Sequence, residues 1–250
     1  MKTTKLVTML VVAGLAMFFA ACSESGTNVE ETLIAEGDVK SSEMVEYFGD
    51  TCDFSAVLSE EEVVGLMEMR EEEKLARDVY IYFYETYEYF VFNNISKSED
   101  AHSRAVAYLI DGFGLADPAL EGIGEFNDDL FTTLYASLTE QGSTSLADAL
   151  KVGAFIEEYD IADLERLLET TENESIKRVY ANLLRGSKFH LKAYTAALNR
   201  LGEAYEPTVI SQDYYDEIIA GDDDTDDNTE DTDDTFVPGT GVCDGTGPNA

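Results

Sequence analysis

From Ser59 to Gly202, apolar side chains recur at alternating spacings of three and four, the pattern of an α-helix with one buried face. The first predicted helix opens at Ser59, where Ser59 and Glu62 fit a capping box, and runs to about Tyr89. Its stripe reads Leu66, Met69, Glu73, Ala76, Tyr80 and Phe83, and only Glu73 breaks it. The second helix spans about Asn94 to Asp111, with the stripe Ile95, Glu99, His102, Val106 and Leu109. A long connection from Gly114 to Ser145 follows, holding a short helix at Asp128–Gln141. The third long helix starts at Ser145, with Asp148 as its capping partner, and reaches about Thr170. It presents Leu146, Leu150, Gly153, Glu157, Asp160 and Leu164. The fourth begins after Asn173 and stops at Gly202, with Pro207 beyond. It presents Ile176, Tyr180, Leu183, Ser187, His190, Tyr194, Ala197 and Leu201.

Two helices, a long connection and two more helices are the layout of an all-α four-helix bundle with a crossover between helices 2 and 3. The flanks divide the chain further. Residues 1–21 read as a signal peptide, 22–58 as a tether containing a short helix near Ser42–Phe48, 59–218 as the bundle and 219–250 as an acidic low-complexity tail.

Each long helix turns an ionisable or polar group onto its apolar face. An unpaired charge costs several kcal/mol to bury, so inward charges pair with one another or meet a cation. Glu99 and His102 are three apart and one turn apart on the same helical face, within reach of one ion. Glu73 and Glu157 can face them from neighbouring helices, and His190 can serve a second ion. Carboxylates mixed with imidazoles suit iron, manganese or zinc, as one or two ions. The chain has only two histidines, and both fall on stripe positions. Structural alternatives exist for each piece. Ser96 and Glu99 also match a capping box, Glu73 can pair with Arg77 on a solvated face, and His190 can be a core histidine. Glu157 and Glu158 are adjacent, and a small rotation decides which points inward; the stripe favours Glu157.

Charge alters the picture outside the bundle. The net charge of −36 becomes −38 once residues 1–21 are removed, because they carry two lysines and no acid. That excludes nucleic acid as a partner, whose backbone would repel the chain. Residues 221–235 hold nine acids and no apolar side chain, too little to order a segment. They also lack the glycine and closing glutamate of a calcium loop. At the other end, Lys2 and Lys5 precede an apolar run from Leu6 to Ala21, followed by Cys22. Small residues before a cysteine resemble a bacterial lipoprotein cleavage site, although Phe19 departs from the usual leucine. The resemblance implies lipidation of Cys22, export, and anchoring to the cell envelope through acyl chains. Cys52 and Cys243 then remain, to pair under oxidising conditions or stay as thiols.

Glu73-Lys-Leu-Ala76-Arg77-Asp-Val-Tyr80 resembles the first-helix E-x-x-A-R-x-x-Y of rubrerythrins, and Glu99-x-x-His102 resembles their second-helix ligand pair. More closely, MREEEKLARDVY, GAFIEEYDIADL, YANLLRGSKFHLKAY and YEPTVISQDYYDEII are similar to the prokaryotic family known as domain of unknown function 2202. The resemblance covers about residues 60–218 and implies a ferritin-like fold. It further implies an iron site with ferroxidase or peroxide-reducing activity, whose ligands are Glu73, Glu99, His102, Glu157 and His190. Tyr80 or Tyr194 would orient the carboxylates. Ferritin-like sites usually carry a second E-x-x-H on the fourth helix, and here Ser187 stands three residues before His190. Asp160, Glu72 or Glu158 are candidates to compensate. No C-x-x-C electron donor is present. The alternative function is a non-catalytic envelope lipoprotein, a helical scaffold whose acidic tail binds cations or a partner. Homo-oligomerisation is compatible with either.

Overall fold

The structure, a computed structural model, describes residues 52–221. The predicted signal peptide, Cys22, the Ser42–Phe48 helix, Cys243 and the acidic run lie outside that range. Six helices and no strand occur among the described residues: α1 (Glu60–Tyr87), α2 (Phe90–Gly112), α3 (Asp129–Gly142), α4 (Leu146–Thr170), α5 (Glu174–Arg200) and α6 (Gln212–Ala220). No described helix is long and apolar enough to cross a membrane.

The helix ends follow local chemistry. Ser59 and Glu62 form the expected capping box, Ser145 accepts from Asp148 N, and Asn173 accepts from Ser175 N and Ile176 N. The second helix departs from expectation. It starts at Phe90, four residues before the predicted start, because Phe92 is buried and extends the stripe backwards from Ile95. Glu99 is therefore well inside α2, and Ser96 Oγ donates to the Asn93 carbonyl instead of capping. Helix α6 is an element that the periodicity reading does not isolate. It is capped by Ser211 and runs two residues past the expected start of the tail.

Helix α1 packs mainly on α2, and α4 mainly on α5; α1 also packs on α4, α2 on α5, and α3 lies against α1 and α4. Two apolar layers fill the interior. Leu66, Met69, Val106, Leu109, Leu164, Leu167, Ile176, Tyr180 and Leu183 make one. Tyr80, Phe83, Phe92, Ile95, Leu150, Leu191, Tyr194 and Ala197 belong to the other. On every long helix the stripe passes from one layer to the other through its ionisable positions. The charged groups therefore form a belt between two dry layers, each fully buried aliphatic or aromatic side chain contributing about 1.5–3 kcal/mol. At the ends of the stripes the pattern weakens: Leu146 is half-buried, and Leu201, the residue capping α5, is 45% exposed.

Glu73 is not the only buried charge of α1. Glu71, Lys74 and Asp78 are buried on the flank facing the crossover. Lys74 pairs with Asp78 at 2.5 Å, donates to the Gly122 carbonyl at 2.8 Å and lies over the Phe126 ring. Asp78 accepts from Gly124 N, and Glu71 accepts from Asn127 N and Asp128 N just before α3. A charge is tolerable there because the crossover backbone satisfies it, and the same contacts fix a connection that has no apolar stripe. Upstream of α1, Phe54 packs edge-on against Tyr108 and Phe113, and Cys52 is disulfide-bonded. Its expected partner, Cys243, lies outside the described residues.

Candidate metal centre

The belt brings together Glu73 from α1, Glu99 and His102 from α2, Glu157 from α4 and His190 from α5, all buried. Glu99 stands at the middle. Its Oε2 lies 2.9 Å from His102 Nδ1, and its Oε1 lies 2.7 Å from His190 Nδ1. Each histidine has a second carboxylate: Glu73 Oε2 is 3.4 Å from His102 Nδ1, and Glu157 Oε2 is 3.3 Å from His190 Nδ1. The result is two half-sites, Glu73/His102 and Glu157/His190, joined by the two oxygens of Glu99. The imidazoles stack with ring centroids 5.5 Å apart. Ligand-type atoms of Glu99, His102 and His190 all fall within 4.8 Å of one another.

Supporting groups hold these side chains in register. His190 turns its Nδ1 to the carboxylates, while its Nε2 lies 3.0 Å from Ser98 Oγ. The far edge of His102 fits against Gly186 of α5, where an added Cβ would meet ring atoms at 2.5 and 2.6 Å. Tyr80 donates its hydroxyl to Glu157 Oε1 at 2.6 Å. Tyr194 packs against the Tyr80 ring at 5.3 Å, and Gly153 makes room for it. Of the two candidate tyrosines, Tyr80 is the one that hydrogen-bonds a carboxylate of the belt, while the Tyr194 hydroxyl has no hydrogen-bond partner among the described residues.

Several buried polar atoms of the belt lack a hydrogen-bond partner, including Glu73 Oε1, Glu99 Oε1, Asp160 Oδ1 and His190 Nδ1. Glu99 Oε1 and His190 Nδ1 approach to 2.7 Å without the alignment of a hydrogen bond. An orphaned buried polar atom costs about 1–3 kcal/mol, and a cation between such atoms removes the deficit. Electrostatics lead to the same place. Burial, followed by the charge of Asp160, pushes Glu73 well above the ordinary carboxylate range. Burial, reinforced by Glu99, raises Glu157 to about 7. Burial opposes ionisation of Glu99 too, but His190 and His102 outweigh it and hold Glu99 well below its ordinary value. Burial would lower both histidines; Glu99 and Glu73 instead raise His102, and Glu99 and Glu157 raise His190 to about 9. Protons thus neutralise the belt when no cation does so.

The alternative partners are excluded by position. Arg77 pairs with Asp78 and Asp100 and leaves Glu73 buried. Both adjacent glutamates of α4 are buried, with separate tasks. Glu157 enters the belt, whereas Glu158 accepts from Tyr205 Oη and from the backbone N–H groups of Thr208, Val209 and Ile210. That carboxylate anchors the segment linking α5 to α6. Ser98 and Gly186 escape a sequence reading because both lie off the apolar stripes, and nothing in the spacing marks them.

Residues 62–222 match a protein family described as an uncharacterised protein domain, DUF2202. The chain is 49% identical over 164 residues to the uncharacterised protein MJ0754 of the archaeon Methanocaldococcus jannaschii, an alignment covering 65% of this chain and 89% of that protein. A crystal structure of hypothetical protein MJ0754 matches with a TM-score of 0.66 at 48% identity, covering 67% of this chain and 96% of the other.

Proposed function

The chain belongs to the DUF2202 family, and we propose that it is a metal-binding protein of ferritin-like, four-helix design whose buried belt takes two divalent cations, iron foremost. The observation that carries this reading is the double use of Glu99: one of its oxygens faces each histidine, at 2.9 and 2.7 Å, and a second carboxylate faces each histidine from another helix. Glu73, Glu99 and His102 would hold one ion, and Glu99, Glu157 and His190 the other. A set richer in carboxylate than in imidazole favours iron or manganese over zinc.

Bound iron would supply redox chemistry toward dioxygen or peroxide, and we extend the proposal to ferroxidase or peroxide-reducing activity. The chain contributes the surroundings. Met69, Val106 and Leu183 on one side and Tyr80, Ile95 and Tyr194 on the other exclude bulk water. Tyr80 fixes Glu157, and Ser98 fixes the ring plane of His190. The raised Glu157 and Glu73 are carboxyls able to hold a proton in the belt. Residues 1–21 and Cys22 lead us to propose an exported lipoprotein that works at the cell envelope.

Anaerobic titration with Fe(II), followed by metal analysis, tests the reading. We expect about two ions per chain, none in His102→Ala/His190→Ala, and oxygen uptake above the background rate of free Fe(II). Absence of bound iron, manganese and zinc would leave a helical scaffold and end the proposal. Stoichiometric binding with background oxygen uptake would keep the site and remove the oxidase.

A further inference from the structure

Asp160 lies one turn after Glu157 on α4 and is 9% exposed, yet it makes no ion pair within 4 Å among the described residues. One of its oxygens is occupied: Ser187 Oγ donates to Oδ2 at 2.5 Å. Ser187 is itself buried, one turn before His190 on α5. Its hydroxyl also lies 3.0 Å from the Leu183 carbonyl, so Ser187 bridges the Asp160 carboxyl group and the backbone of α5. The other oxygen, Oδ1, is buried and has no hydrogen-bond partner.

The surroundings of the carboxylate are the belt. Glu157 is the charged group acting most strongly on Asp160, with Glu99 and His102 next. Asp160 is, in turn, the charge acting most strongly on Glu73. Three residues after Glu157 on α4, and hydrogen-bonded to Ser187 three residues before His190 on α5, Asp160 borders the belt, and its charge acts on the acidic groups of both α1 and α4. A buried carboxylate among other carboxylates is repelled, and an apolar residue would suit that position better unless positive charge arrives.

We propose that Asp160 is a further ligand of the centre, giving it a fourth carboxylate through Oδ1, and that Ser187 is the residue that positions it. The proposal rests on the metal reading of the belt. Its substrate class is the same divalent cation, and its consequence is a site that gains its last carboxylate from α4 while α5 contributes only the serine that aims it.

Co(II) titration of the full chain, read by metal analysis and by visible absorption, tests this. The unaltered chain should bind two ions. Asp160→Asn should lose one ion or bind it at least about a hundredfold more weakly, with an altered Co(II) spectrum. Ser187→Ala, which keeps the carboxylate but frees it, should weaken the same ion about tenfold, as loss of an outer-shell partner does. Asp160→Glu should recover part of the binding. A role confined to bridging α4 and α5 would leave stoichiometry and spectrum unchanged and would lower the stability of the metal-free chain, so that pattern overturns the proposal. If Asp160→Asn does not fold, Ser187→Ala and Asp160→Glu decide by the same readouts. Failure of the unaltered chain to bind Co(II), Fe(II) or Mn(II) overturns the metal reading and this ligand with it. An unchanged Asp160→Asn in a chain that binds two ions overturns this ligand alone.

Discussion

Gly186 has no side chain, and the ring of His102 uses the space. Alanine there has two opposed effects. Helix propensity favours alanine over glycine by about 1 kcal/mol. The new Cβ, however, would fall 2.5 Å from the His102 ring, too close for any real contact. We expect Gly186→Ala to leave the unfolding midpoint of the metal-free chain nearly unchanged while weakening metal binding at least about tenfold, measured by calorimetric titration. Equal affinity would mean that the ring adjusts freely. The titrating side chains give a second expectation. His190, at about 9, keeps a proton that an unfolded histidine releases near 6.5. Asp160, at about 8, and Glu157, at about 7, likewise keep protons that unfolded carboxyls release near pH 4. In all three the native state binds more protons, so their contribution is complete below the unfolded values and is lost as pH rises through the folded ones. The metal-free chain should therefore melt more than about 4 °C lower at pH 9 than at pH 6, and bound metal should flatten the slope by displacing those protons. A metal-free chain as stable at pH 9 as at pH 6 would contradict the assignment.

Glu157 and Glu158 show how one helix serves two ends. Consecutive residues on a helix point about 100° apart, so one faces the belt and the other the segment between α5 and α6. Glu158→Gln should destabilise the chain by about 1–3 kcal/mol, because the amide nitrogen that replaces one oxygen cannot accept from the backbone N–H groups it would face. Cleavage between residues 202 and 211 should become faster in limited proteolysis. Glu157→Gln should spare that segment and lose metal. A shared phenotype would mean that the two are not separate. Elements of this kind also mark where sequence stops being legible. The long helices were readable because each apolar stripe is continuous, and the belt because its ionisable residues sit on those stripes. Helix α6 has two buried residues, Tyr215 and Ile218, too few for a periodic pattern. Glu71, Lys74 and Asp78 are buried off the stripe, by a crossover whose backbone supplies their partners, and no local rule foretells a partner about fifty residues away.

At the scale of the molecule, two apolar layers enclose one polar belt, and every long helix crosses all three zones. The register of the four stripes sets the belt: moving any one helix by a turn would oppose a charge to Leu109 or Tyr194 and leave it unpaired. That consistency made the five proposed ligands findable from sequence. The distances that make Glu99 the shared group, the roles of Ser98 and Gly186, and the hydrogen bond that singles out Asp160 from the compensating candidates by tying it to Ser187 depend on side-chain contacts between helices and were not. The net charge of −36 adds to the picture by concentrating cations near the surface. The central claim is that the belt is a cation site. Crystals of the protein soaked with Fe(II) under anaerobic conditions, with anomalous scattering recorded at the iron edge, test it most directly. The account predicts two peaks in the belt, each in bonding contact with a carboxylate oxygen of Glu99 and with Nδ1 of His102 or His190. Anomalous density confined to the acidic surface, with an empty belt and His190 hydrogen-bonded to Glu99, would contradict it.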